Sequence, residues 1–173
     1  MTHPARAGLL NRYALKSAPM IFTLRISVAL FAFALFTGCS SFQREWERAA
    51  TAVPAPGIAG RWAGSWESDG NHHGGELRCL ITALANDQYS ARFHARYKRV
   101  FNLTFGYTVV LNAQPGTNGI DFQGSANLGW YAGGTYQYNG HATATNFHST
   151  YSCKYDHGTF LMTRPASSED RPR

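Results

Sequence analysis

The 173-residue sequence predicts an all-β fold, an eight-stranded antiparallel up-and-down meander closed into a small barrel, with a two-sheet β-sandwich as the alternative. Three observations carry this expectation. Between Ile58 and Arg164 aromatic and β-branched residues alternate with polar ones at period two, glycine-containing breaks separate the runs, and no helical stripe of useful length interrupts them. So many short strands with short connections leave exposed edges unless the sheet closes, and closure favours the barrel.

The chain opens with a different texture. Met1 to Arg25 carries Arg6, Arg12, Lys16 and Arg25 and no acid, and Ile26 to Phe36 follows, apolar except for Ser27. Those 11 residues would rise roughly 16 Å as a helix, short of a hydrocarbon core about 30 Å thick. Residues 1–38 therefore read as a signal peptide that is removed, and Met1 and Met20 are both open as the start. The run ends in Leu35, Phe36, Thr37, Gly38 and Cys39, which resembles the lipobox of bacterial lipoproteins, with Phe36 where that family usually has leucine. The resemblance implies cleavage before Cys39 and lipid attachment (diacylglycerol and a palmitate-type acyl chain) at that cysteine, which makes membrane anchoring stable. Ser40 and Ser41 follow without the aspartate that retains some lipoproteins at the inner membrane. The implied address is the cell envelope, at the outer membrane and facing the periplasm.

Residues 39–57 read as a tether: polar, then alanine-rich, then Pro54, Ala55, Pro56 and Gly57, a stretch that stiffens into an extended piece and holds no core. Trp46, flanked by Arg44 and Arg48, fits either a lipid interface or the surface of the domain. The domain itself spans 58–165, and residues 166–173 read as a disordered tail. Its strands are expected near 60–67, 76–84, 88–97, 100–112, 119–128, 134–141, 144–153 and 158–164. Tyr89, Ala91, Phe93, Ala95 and Tyr97 point one way while Ser90, Arg92, His94, Arg96 and Lys98 point the other. The same alternation runs through Phe101 to Leu111 and through Ile120 to Leu128, so each strand has one dry and one wet face. An echo of Phe122-Gln123-Gly124-Ser125-Ala126 in Tyr138-Asn139-Gly140-His141-Ala142 places a glycine on the apolar face twice, as at the corners of a small barrel.

Gly60-Arg61-Trp62 at the start of the first strand and Arg164 near the end of the last together resemble the calycin pattern of lipocalins, fatty-acid-binding proteins and avidins. That resemblance implies that Trp62 packs at one barrel end beneath Arg164, a contact with its own cation–π warrant. Residues 68–75 leave no room for a helical lid and only nine residues follow Arg164, so the bare barrel of avidin type fits best.

Composition narrows function. Removing residues 1–38 takes away four of the 16 basic residues and none of the 10 acids, which reduces the formal charge from +6 to +2 and leaves no electrostatic case for nucleic acid. Five basic residues, Arg78, Arg92, Arg96, Lys98 and Arg99, form the strongest charge asymmetry and suggest contact with an anionic surface, beside the alternative of an ordinary solvated face. Cys79 and Cys153 are a candidate disulfide; their strand positions place both at one rim, two strands apart, and two unpaired thiols are the alternative. His72, His73 and His157 lie in loops of one rim and are the weak metal candidates, with Asp69 nearby, beside the plainer reading of flexible polar loops. HExxH, CxxC and GxSxG are absent. The inward rings, among them Trp62, Trp66, Phe93, Tyr107, Tyr138 and Phe160, favour a filled core over a pocket.

The expectation is a non-catalytic, lipid-anchored envelope module acting in envelope structure or protein interaction, with no cofactor and no catalytic residue. A carrier for a small apolar ligand is the alternative, and a metal-dependent enzyme using the rim histidines is the least favoured. The expected partners are the membrane, through the anchor, and either an envelope protein or a small apolar ligand.

Overall fold

Period-two alternation is expressed directly in three dimensions. The computed structural model describes residues 41–52, 57–97 and 103–166. The leader, Cys39, Lys98, Arg99, Phe101 and nearly all of the C-terminal tail lie outside the described residues. Eight strands follow in chain order: β1 (Gly60–Ser68), β2 (Gly74–Ala83), β3 (Gln88–Tyr97), β4 (Leu103–Gly116), β5 (Gly119–Asn127), β6 (Thr135–Ala142), β7 (Asn146–Ser152) and β8 (His157–Thr163). Each pairs antiparallel with the next, and β8 pairs with β1, so the sheet is a closed up-and-down barrel and not a sandwich.

Closure turns the apolar faces inward. Leu77, Cys79 and Ile81 of β2, Ala91 and Phe93 of β3, and Val109 and Leu111 of β4 are all buried, and Phe122, Tyr138, Phe147, Phe160 and Met162 complete the core from the other side. The two echoed glycines are required by close packing. A Cβ on Gly140 would collide with the Phe122 ring and with the His148 carbonyl, and one on Gly124 would lie 2.6 Å from the Val110 carbonyl oxygen. These positions let the wall approach its own contents, as small barrels demand.

One expectation is corrected outside the barrel. Residues 41–51 are helical (α1) and not a coreless tether, and Phe42 and Trp46 are buried at 2 % and 1 % exposure. Ser41 to Ala50 is rich in Gln, Glu, Arg and Ala, all strong helix formers, and spaces its two rings four residues apart on one face. Gln43 donates to Glu47 one turn later at 2.9 Å, which supports the exposed side.

Candidate functional site

The antiparallel meander sends every odd-to-even connection to one end of the barrel and every even-to-odd connection to the other. The first end carries the loops after β1, β3, β5 and β7 and is the mouth. At the opposite end the chain enters at β1 and leaves at β8.

The entry end is plugged. The Arg164 guanidinium carbon lies 3.8 Å from the centroid of the Trp62 ring, which is wholly buried. Its Nη1 donates to the carbonyl oxygens of Ala59 at 2.8 Å and Arg61 at 3.4 Å, and Nη2 to that of Gly57 at 3.3 Å. Trp62 Nε1 donates to the Ile58 carbonyl at 2.8 Å. One arginine thus caps the indole and ties the entering strand to the leaving one.

The mouth is open. Below it lies a cup of about 460 Å³, lined by Trp66, Tyr107, Tyr136, Tyr138, Tyr151 and Phe160 among others. Its floor is a ring cluster: Phe93 sits 5.3 Å from Tyr107 and 5.4 Å from Phe160, and Tyr138 bridges Tyr107 at 6.3 Å and Phe160 at 6.1 Å. The expected filled interior therefore holds for the entry half only. Trp62, Phe147 and Phe122 pack on one another there, while at the mouth the rings touch along the wall, Tyr151 lying 5.0 Å from Phe160 and 6.0 Å from Tyr136, and leave the space between them open.

Two polar features mark the cup. Trp66 Nε1 is buried with no hydrogen-bond partner among the described residues, a condition that native interiors rarely leave unexplained. Asp156, at the lip, accepts from Ser68 Oγ at 2.6 Å, from the His157 backbone N–H at 2.9 Å and from Tyr151 Oη at 3.1 Å. This carboxylate staples the β7–β8 turn to the end of β1. Burial pushes the Tyr138 phenol up to about 12; burial and then the neighbouring Asp156 raise that of Tyr151. Apart from the Asp156 carboxylate at its lip, the cup therefore presents neutral hydroxyls and ring faces at ordinary pH.

The expected anionic-contact face is corrected in part, because α1 lies across it. Arg92 donates to Glu45 at 2.8 Å and to Ser41 Oγ at 2.7 Å. Trp46 meets the guanidinium groups of Arg61 and Arg78, whose carbons lie 5.2 and 5.4 Å from its ring centroid. Phe42 stacks on His94 at 4.7 Å and 10°. Arg96 pairs with Glu76 at 3.4 Å on the exposed surface. Burial first, then Arg78, Arg96 and Arg92, hold the His94 imidazole below the usual histidine range, and its Nε2 is buried with no partner among the described residues.

Cys79 and Cys153 are both free, so the candidate disulfide is not formed. The pairing register explains why: Cys79 stands opposite Trp62 inside the barrel, while Cys153 follows β7 at the mouth, so the two do not share a rim. Burial raises the Cys79 thiol well above its ordinary range. The rim histidines share one end as expected, but among the described residues no group of three or more His, Cys, Asp or Glu gathers to hold a metal ion. His157 Nε2 lies 3.9 Å from Asp69, and His73 packs edge-on against Tyr97.

Fold and closed-end pair together define an eight-stranded antiparallel up-and-down barrel compatible with a calycin-like architecture. No family model, no curated protein and no solved structure matches the chain.

Proposed function

We propose that this barrel is a non-catalytic binding module that takes a small, largely apolar molecule bearing a hydrogen-bond acceptor into its cup. Lipid on Cys39 would hold it at the cell envelope, on the periplasmic side of the outer membrane. The observation that carries the reading is the open aromatic cup, whose lining sets Tyr107, Tyr136, Tyr138 and Tyr151 among apolar rings. Pockets that bind small molecules combine apolar walls with a few oriented polar groups, and this one has that composition. The calycin-like barrel agrees with it. A structural or protein-interaction role acting through the basic face has less support, because α1 occupies Arg78 and Arg92 from within the same chain. For a metal-dependent enzyme the rim histidines offer less support, since among the described residues no group of three or more His, Cys, Asp or Glu gathers around them.

Native against denaturing mass spectrometry of the full chain, purified from the envelope without added metal or chelator, tests the proposal. An extra mass of a few hundred daltons released on denaturation is expected. The reading fails if the mass matches the bare chain in both conditions and the apolar dye anilinonaphthalene sulfonate binds the native chain no better than an Ala95→Trp variant. Ala95 lines the cup, and an indole there would fill it.

A further inference from the structure

Among the described residues eight large hydrophobic side chains are exposed, and five of them, Leu103, Phe105, Trp130, Tyr131 and Tyr155, stand at the mouth end. Trp130 is 91 % exposed and Tyr131 79 %, the most exposed of all. Soluble surfaces rarely concentrate so much apolar area without a partner.

The projection of Trp130 is built. The 3-10 turn Trp130–Ala132 sits between Gly129, Gly133 and Gly134, whose φ angles of 87°, 95° and 85° are open mainly to glycine. Its base is closed by backbone bonds from Leu128 N to Gly134 O and from Gly134 N to Gly129 O, both 2.9 Å, and Asn127 Oδ1 accepts from the Gly129 N–H at 2.9 Å. A pinned loop thus holds two rings out in solvent, at 88° to each other. The β7–β8 turn holds out Tyr155, 73 % exposed, with Lys154 Nζ 5.1 Å from its ring centroid.

We infer that the mouth docks on a phospholipid bilayer, with Trp130, Tyr131 and Tyr155 seated at the headgroup level and the cup opening toward the lipid. The rings stand on separate hairpins around an opening. A protein interface needs a packed, dry centre, and here the centre is the opening of the cup. A deformable lipid surface can meet a ring of side chains without filling the middle. Trp and Tyr are the residues that settle at membrane interfaces, apolar body inward and N–H or O–H toward water, and Lys154 supplies a cation for phosphate. The inference does not depend on what the cup binds.

The test is the fluorescence of Trp130 in the full chain, purified as cells make it and mixed with phosphatidylethanolamine vesicles with and without phosphatidylglycerol. Expected are a blue shift, quenching by interfacially brominated lipid, protection from aqueous iodide, and loss of all three in Trp130→Phe. Because Trp130 is 91 % exposed, that variant is expected to keep the fold, checked by circular dichroism. Trp130 emission that stays red and iodide-quenchable on vesicles overturns the inference. A concentration-dependent blue shift without lipid also overturns it and assigns the rim to a second copy of the chain. Either failure leaves the mass-spectrometric test of the cup unaffected.

Discussion

Replacing Arg164 by Met keeps most of the aliphatic stem and removes the guanidinium fork from the plugged end. Two losses dominate. The 2.8 Å bond to the Ala59 carbonyl is a charge-assisted contact at a part-buried site, worth about 2 kcal/mol. The cation over the Trp62 face at 3.8 Å adds about 1 kcal/mol. The bonds of 3.3 and 3.4 Å to Gly57 and Arg61 are longer, and the first is exposed, so they add little. A destabilisation of about 3 kcal/mol follows, or a melting-temperature drop of roughly 12 °C at about 4 °C per kcal/mol for a domain of this size. Urea unfolding of the parent, Arg164→Met, Trp62→Phe and the double variant measures both the loss and the coupling between the two side chains. Arg164→Lys restores charge but not the fork, and recovers only the ring contact. A loss below about 1 kcal/mol in Arg164→Met, or strict additivity with Trp62→Phe, would refute the role assigned to Arg164 as cap and tie of the plugged end.

Other outcomes follow from the same geometry. Trp46→Ala removes a ring at 1 % exposure and is expected to cost about 3 kcal/mol or more, to speed amide exchange across residues 41–51, and to give the bared Arg78 and Arg92 new retention on heparin; unchanged exchange would contradict the docking of α1. The native His94 pKa is lowered, so the unfolded chain takes up its proton first. Stability conferred by neutral His94 is present above about pH 6.5 and falls as pH drops through the depressed native value; His94→Phe should flatten this dependence in pH-resolved urea titrations. In the native protein a thiol reagent should label Cys153 and spare Cys79, and the intact mass should show no loss of two hydrogens; rapid labelling of Cys79 would contradict its burial.

The strands were legible because alternation is a local signal. Gln88–Tyr97 appears with the limits read from Tyr89, Ala91 and Phe93, since an inward ring every second residue leaves one register that buries them all. Trp62 and Arg164 were legible as a resemblance, and the pairing of β1 with β8 supplies the physical reason they meet. Helix α1 was not legible, because two rings in eleven residues make too short a stripe to stand out beside charged neighbours. Its omission misassigned the outer face of β2 and β3 as wet. Alternation tells inside from outside, but it says nothing of what lies on the outside. The cup was hidden for a related reason: a count of inward rings does not distinguish rings that interlock from rings that line a space, and the difference depends on the mouth loops.

Seven of the eight strand junctions join neighbours in sequence, and the eighth joins Ala63 to Thr163. That seam has a temporal meaning. Until the last strand emerges from the ribosome, the first seven form at best an open sheet with two bare edges, and Trp62 lacks its cap. Local hairpins assemble early, while the long-range seam must wait for the whole chain. Loss of the final strand would therefore yield an aggregation-prone ribbon in place of a slightly smaller barrel.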